Sequence, residues 1–164
     1  MKKQLSLLAL AFVSVATLPV HAATATATGN FNVNITLTSK CEINNTTGAT
    51  GPLITELAMS YQSFQTTASS GSTTFNVRCT NTLPFSLALD SATLVDGSTG
   101  LNYLLALSAS ATAPTTFSAT ASLAGQVGTG SNVSYYVYGN IASGQAGTST
   151  DGTPNKQRTL TISY

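Results

Sequence analysis

The sequence predicts an all-β protein, and three observations lead there. Apolar side chains recur at every second residue in separate stretches, most clearly over residues 29–41, 73–80, 132–141 and 158–164. Clusters of Gly, Pro, Asn and Asp punctuate the chain between those stretches. After residue 22 no segment of any length carries a helical period. Period two puts the apolar groups on one face of an extended chain and the polar groups on the other, the pattern of a half-buried strand.

The start of the chain stands apart. Lys2 and Lys3 precede an apolar run over residues 5–18, and Pro19-Val20-His21-Ala22 closes it. A basic start, a short apolar core and small residues at the end predict a secretory signal peptide over 1–22, cleaved after Ala22. The run is too short to span a membrane, and no later segment qualifies. Cleavage removes the single histidine, His21, and leaves Lys40, Arg78, Lys156 and Arg158 against Glu42, Glu56, Asp90, Asp96 and Asp151, a net charge of −1. No basic patch remains to neutralise phosphates, so nucleic acid is not an expected partner. Low charge with abundant Thr, Ser, Ala, Gly and Asn fits an exported β-rich structural protein; recurring period-two apolar residues argue against disorder. The roughly 142 residues that follow suit one domain with one core.

The elements follow in order. Residues 24–28 alternate Thr and Ala as a lead-in. Over 29–41 the apolar residues Phe31, Val33, Ile35 and Leu37 alternate with Asn30, Asn32, Asn34 and Thr36, predicting a half-buried strand that needs a hydrophobic partner. Residues 44–48 and Gly51-Pro52 are turn chemistry. A short strand is expected over 53–59, with Leu57 and Met59 on one face, and 60–72 reads as a loop or sheet crossing. In 73–80, Phe75, Val77 and Cys79 share a face. Leu83-Pro84 bends the chain into an alternating strand at 85–89 that ends at Asp90, and 96–100 is a turn. Residues 101–107 are read as a strand because their surroundings are all-β, although Leu-Leu-Ala-Leu also tolerates helix. A short edge strand is expected over 115–119 and a loop over 125–130. The strongest interior strand is 132–141, with Val133, Tyr135, Val137, Gly139 and Ile141 on one face and Tyr136 and Tyr138 on a partly covered other face. Residues 144–157 are turn-rich. The chain closes on Leu160, Ile162 and Tyr164 in alternation. Many short strands between turns argue for an antiparallel β-sandwich of immunoglobulin type.

Cys41 and Cys79 are the only cysteines. In an oxidising compartment such a pair reads as one disulfide, which closes a loop of about 38 residues and stabilises by roughly 4 kcal/mol in the chain-entropy picture. A redox pair or half a metal site is the disfavoured alternative, since no His remains and the cysteines are far apart. With no mature His and no paired carboxylate motif, acid–base or hydrolytic chemistry has little to work with. There is no Gly-x-Ser-x-Gly elbow, and Gly128-Thr129-Gly130 resembles a phosphate loop only superficially. Asp90, Asp96 and Asp151 read as turn residues rather than Ca²⁺ ligands. The Asn-x-Ser/Thr triplets at Asn34, Asn44, Asn45 and Asn132 matter only in a eukaryotic host. No enzyme activity, cofactor or metal is expected.

Gly-x-apolar-x-apolar-x-apolar-x-apolar-x-x-x-Cys over 29–41 resembles the mature start of subunits carrying the spore coat protein U domain, the subunit family of archaic (Csu-type) chaperone–usher pili of Gram-negative bacteria. Phe75-Asn76-Val77-Arg78-Cys79, followed by Pro84-Phe85-Ser86-Leu87-Ala88-Leu89-Asp90, is similar to the family's cysteine strand and the strand after it. So are Val137-Tyr138-Gly139-Asn140-Ile141 and Leu160-Thr161-Ile162-Ser163-Tyr164. The resemblance is weakest over 101–130. Residues 151–157 depart from the family in being longer and more polar than its Gly-x-Tyr turn before the last strand.

The resemblance implies an incomplete immunoglobulin-like sandwich lacking its last strand, with a hydrophobic groove beside the terminal strand. A periplasmic chaperone would fill that groove first. At the outer-membrane usher, the N-terminal segment of the next subunit would replace it by β-strand addition. Carried onto this chain, residues 23–37 become a donor segment using Phe31, Val33, Ile35 and Leu37, with its end unsettled at Leu37. Residues 38–164 become the sandwich, with Leu160, Ile162 and Tyr164 on the groove and chaperone-binding edge. The function implied is that of a structural, shaft-type subunit of an adhesive surface pilus supporting attachment and biofilm formation, polymerised head to tail with copies of itself or related subunits. The alternative is a free-standing secreted β-sandwich binding or coat protein whose stretch 31–37 pairs within its own sheet.

Overall fold

Alternation in sequence becomes alternation in burial. In the computed structural model, which describes residues 26–44, 54–148 and 157–164, β2 (Ser69–Cys79) buries Phe75, Val77 and Cys79 and leaves Arg78 outside. β3 (Pro84–Leu89) buries Phe85, Leu87 and Leu89, and β7 (Val133–Ile141) buries Tyr135, Val137, Gly139 and Ile141. The remaining strands are β1 (Cys41–Ile43), β4 (Thr93–Val95), β5 (Asn102–Ser108), β6 (Ser122–Val127) and β8 (Leu160–Ser163). They form a five-stranded sheet in the order β1-β2-β7-β5-β4 and a three-stranded sheet in the order β6-β3-β8. Every ladder is antiparallel, and the architecture is the all-β, immunoglobulin-like sandwich that the alternation predicts. The expected signal segment and most residues of the turns at 44–52 and 151–157 lie outside the described residues.

The core lies between the sheets, with Phe75, Val77 and Leu87 fully enclosed. Tyr135 stacks on Phe75 and meets the edge of Phe85, with ring centroids 6.0 and 6.1 Å apart. Its hydroxyl donates to Gln126 Oε1 at 3.1 Å, so the buried phenol keeps a partner. On the outer face Tyr138 is covered as expected, and its hydroxyl donates to the Ser110 carbonyl at 2.9 Å.

Four expectations need correction. The stretch 29–40 forms no strand, and its side chains are exposed; within the described residues its backbone finds a partner only at Lys40, whose carbonyl accepts from Thr80 N and whose N–H donates to Thr80 Oγ1, each at 3.0 Å. No strand forms over 54–59 either. Leu57 and Met59 instead cover Gly139 and Gly71, which face each other on β7 and β2. Thr73 and Ser69 hold that crossing by donating to the carbonyls of Thr55 and Ser60, so side chains take the place of a ladder. The expected edge strand at 115–119 is absent; only an isolated bridge joins Thr120 to Ala106. The expected loop at 125–130 begins inside β6, where a bulge opposite β3 accommodates Gly125 at φ 70°. β4 and the early start of β2 at Ser69 were not expected.

Register defines two ends of the sandwich. Ser69 and Tyr103 both pair with Ile141, placing the starts of β2 and β5 beside the finish of β7. At the opposite end Gly130 N donates to the Cys79 carbonyl and Thr82 N to the Gly128 carbonyl, joining the finish of β2, the start of β3 and the β6–β7 turn. β8 runs antiparallel to β3, hence from the Ile141 end to the Cys79 end. The chain divides into two units, Met1–Thr36 and Leu37–Tyr164, and the sandwich belongs to the second.

Candidate assembly edge

β8 pairs with β3 and, among the described residues, with no strand on its other side. The pairing alternates in sense. Asp90 N donates to the Thr159 carbonyl at 3.0 Å, which makes 90/159 a hydrogen-bonded pair; 88/161 and 86/163 follow two residues on. Leu89 N, by the same alternation, turns away from β8 and donates to the Ala121 carbonyl. Leu160 and Ile162, opposite Leu89 and Leu87, therefore aim their N–H and C=O groups away from β3, at the open side. Their side chains pack against the core, partly buried. Tyr164 follows the strand and is 58 % exposed.

The N-terminal apolar residues are the converse. Phe31, Val33, Ile35 and Leu37 are 84, 69, 83 and 76 % exposed. Among the large apolar side chains of the described residues only Phe64, at 71 %, is as exposed, and the four occur at the spacing that an extended backbone places on one face. Phe31, Val33 and Ile35 belong to the first unit and Leu37 opens the second.

Cys41 and Cys79 are joined, as expected, directly across the β1–β2 ladder with Cα atoms 4.1 Å apart, and both are buried. The next pair in that register is Glu42 and Arg78. Glu42 is buried, and its two oxygens accept from Lys40 Nζ and Arg78 Nη2, each at 2.6 Å, with Arg78 Nε at 3.1 Å. Sequence reasoning missed this cluster, although a signal existed: an antiparallel Cys41–Cys79 pair forces 42 opposite 78, and Lys40 shares the face of Glu42. It is a buried carboxylate held by two cations, which orients the ends of β1 and β2 rather than offering a reactive group.

Asp90 and Asp96 behave as turn residues, and Asp151 lies outside the described residues. Asp96 accepts from Thr99 N and Oγ1, both at 2.7 Å, and Asp90 accepts from Ser91 N and faces Arg158 Nη1 at 3.6 Å. Among the described residues no group of three His, Cys, Asp or Glu side chains could hold a metal ion. Burial pushes the phenols of Tyr103, Tyr135 and Tyr138 upward; for Tyr103, Arg158 opposes this, while Asp96 and Asp90 add to it. No helix among the described residues is long and apolar enough to cross a membrane.

The sequence profile of the Spore Coat Protein U domain matches residues 27–154. No curated protein and no solved structure matches the chain.

Proposed function

The chain belongs to the Spore Coat Protein U domain family, the family of Csu-type pilus subunits, and from that membership we propose that it is a non-enzymatic structural subunit of an adhesive surface pilus, assembled through donor-strand complementation. Residues 1–22 are its secretory signal, 23–37 its donor segment and 38–164 the acceptor sandwich, completed by a strand that it does not itself supply. Phe31, Val33, Ile35 and Leu37 enter the groove beside β8 of the neighbouring copy. Before assembly, a periplasmic chaperone covers the same edge, and an outer-membrane usher exchanges one occupant for the other. The cell surface is the destination, and attachment and biofilm formation are the role.

One observation carries this reading: a period-two apolar stretch stands exposed on a chain whose β8 turns outward backbone groups that pair with no strand among the described residues. Exposed apolar alternation is a liability unless a partner covers it, and an open edge strand is a liability of the complementary kind. A head-to-tail pairing of the two resolves both and propagates without closing, which makes a fibre. The test is relocation. A chain lacking residues 26–37 but carrying them after Tyr164 through a flexible linker is expected to be a chaperone-independent monomer that melts higher than the unmodified chain. An unchanged melting temperature would count against the proposal.

A further inference from the structure

We propose that the connection between β5 and β6 is a glycosylation site, at which Thr115 or Thr116, directly after Pro114, receives an O-linked glycan once the chain has been exported. The inference rests on the export proposed above and goes beyond assembly.

The connection is long for its place. β5 ends at Ser108 and β6 begins at Ser122, so residues 109–121 form a thirteen-residue link without a strand. Links of that length inside a compact domain are uncommon, and those that persist usually carry a function. Both ends of this one are fastened. The Tyr138 hydroxyl donates to the Ser110 carbonyl at 2.9 Å. Leu107 N donates to the Thr120 carbonyl and Thr120 N to the Leu105 carbonyl, each at 3.0 Å, and Leu89 N donates to the Ala121 carbonyl. The middle is held by nothing comparable. Residues 113–117 make no hydrogen bond, by backbone or side chain, to any other described residue. Every residue from Ala109 to Thr116 is exposed, and Phe117 is half-buried.

Composition points to what such a segment receives. Residues 108–120 comprise seven Ser or Thr, four Ala, Pro114 and Phe117, with no charged group. A stretch rich in Ser and Thr and interrupted by Pro builds no packed core, and it is the composition on which exported proteins carry O-linked sugars. Pro114 fixes its own φ and biases Ala113 toward extended backbone, so the two threonines that follow are presented on open chain.

An acceptor needs a solvent-facing hydroxyl without a partner, on backbone that can be drawn into the cleft of a transferase. Other hydroxyls among the described residues fall short. Ser70, Ser72 and Thr161 are exposed but belong to ladders. Thr66 and Thr67 lie in a loop tied to the segment after β7 by Phe64 N to the Gln145 carbonyl and Gly144 N to the Gln65 carbonyl. Thr36 and Thr38 stand in the stretch that assembly covers with a neighbour. The connection is free of that constraint, because β6 and β8 flank β3 on opposite sides and residues 120 and 121 are bonded on the β6 side. A glycan there leaves the β8 edge open.

The step is a substitution at carbon. The threonine Oγ attacks the anomeric carbon of a glycan carried as a polyprenyl diphosphate. A new C–O bond forms as the anomeric bond to the diphosphate breaks. The lipid diphosphate leaves with that electron pair, and the hydroxyl proton passes to a base of the transferase. This chain contributes the hydroxyl alone.

The experiment uses the chain recovered from the cells that produce it. N-terminal sequencing reports export, by a start at residue 23. Chymotrypsin, cutting after Leu107 and Phe117, releases residues 108–117, and electron-transfer fragmentation, which leaves sugars attached, locates any added mass. The expected result is a 108–117 peptide carrying hexose or hexosamine residues on Thr115 or Thr116, and loss of that mass in the Thr115→Ala, Thr116→Ala double variant. A processed chain whose 108–117 peptide has its sequence mass alone, or whose sugar sits on any other residue, overturns the proposal and leaves the assembly reading intact. A chain that keeps its leader and stays inside the cell defeats the export reading, and the glycosylation falls with it.

Discussion

Replacing Val33 by Asp perturbs the donor stretch at one inward position and leaves the sandwich untouched. Val33 is 69 % exposed and its three companions are more so, so nearly the full burial term is available on docking. Four such side chains contribute roughly 6–12 kcal/mol as an upper figure. Ordering the seven residues 31–37 opposes this by about 1–2 kcal/mol each. Hydrogen bonds to the outward groups of Leu160 and Ile162 return about 0.5–1.5 kcal/mol apiece. The terms cancel to within a few kcal/mol, so every filled position matters. Val33→Asp forfeits about 1.5–3 kcal/mol of burial, and neutralising the new carboxyl at pH 7 costs about 4 kcal/mol more, from three pH units above its usual pKa. Docking should weaken by at least about four orders of magnitude. Val33→Asp subunits should fold, bind chaperone and fail to polymerise, as scored by the ladder of sheared, unheated surface material. Asn32→Asp, on the opposite face, should assemble normally. Lowering the pH toward 4 should partly rescue in vitro polymerisation of Val33→Asp, because protonation removes the larger cost. Normal filaments from Val33→Asp at neutral pH would refute the reasoning.

Three further outcomes are expected. Deleting residues 160–164 should abolish chaperone capture in a pull-down, and Ile162→Pro should do so while sparing β3 pairing, because the lost N–H is one that points outward. Cys41→Ser should lower the exported yield, since loss of the bridge removes roughly 4 kcal/mol of stabilisation and exposes unfolded chain to proteolysis; alkylation of denatured, non-reduced wild type should label neither cysteine. Gly71→Ala should lower the melting temperature more than Gly139→Ala. The added Cβ at Gly71 would lie 2.4 Å from the Ala58 carbonyl oxygen, whereas at Gly139 the nearest atoms are the flexible ends of Met59 and Leu57 at 2.7 and 2.9 Å.

What was legible in the sequence divides along a physical line. β2, β3, β7 and β8 could be read because each buries one face, so Phe75, Leu87, Val137 and Ile162 carry the period-two signal. The same signal over 31–37 does not produce a strand in the isolated chain, since alternation reports which face would be buried and not whether a partner is present. β6 was hidden by Gly125, whose bulge looks like a turn, and β4 by being three residues long. Residues 56–60 alternate in burial, yet the segment 55–60 bonds through the side chains of Thr73 and Ser69, which local pattern cannot distinguish from a ladder. The open edge followed from where β8 sits in the strand order, and its outward groups from the register with β3. The Glu42 cluster needed only the register implied by the two cysteines.

That disulfide has a mechanical consequence. The N-terminal stretch enters the sandwich at Cys41, and β1 beyond it is three residues long. A pull on that stretch would otherwise peel β1 from the sheet one hydrogen bond at a time. The covalent link at the first residue of β1 diverts the load into β2, an eleven-residue strand flanked on both sides. From there it spreads over the nine-residue register with β7. Tension entering the subunit is therefore borne by bonds loaded together in shear, at the centre of the larger sheet, and its weakest edge strand is bypassed.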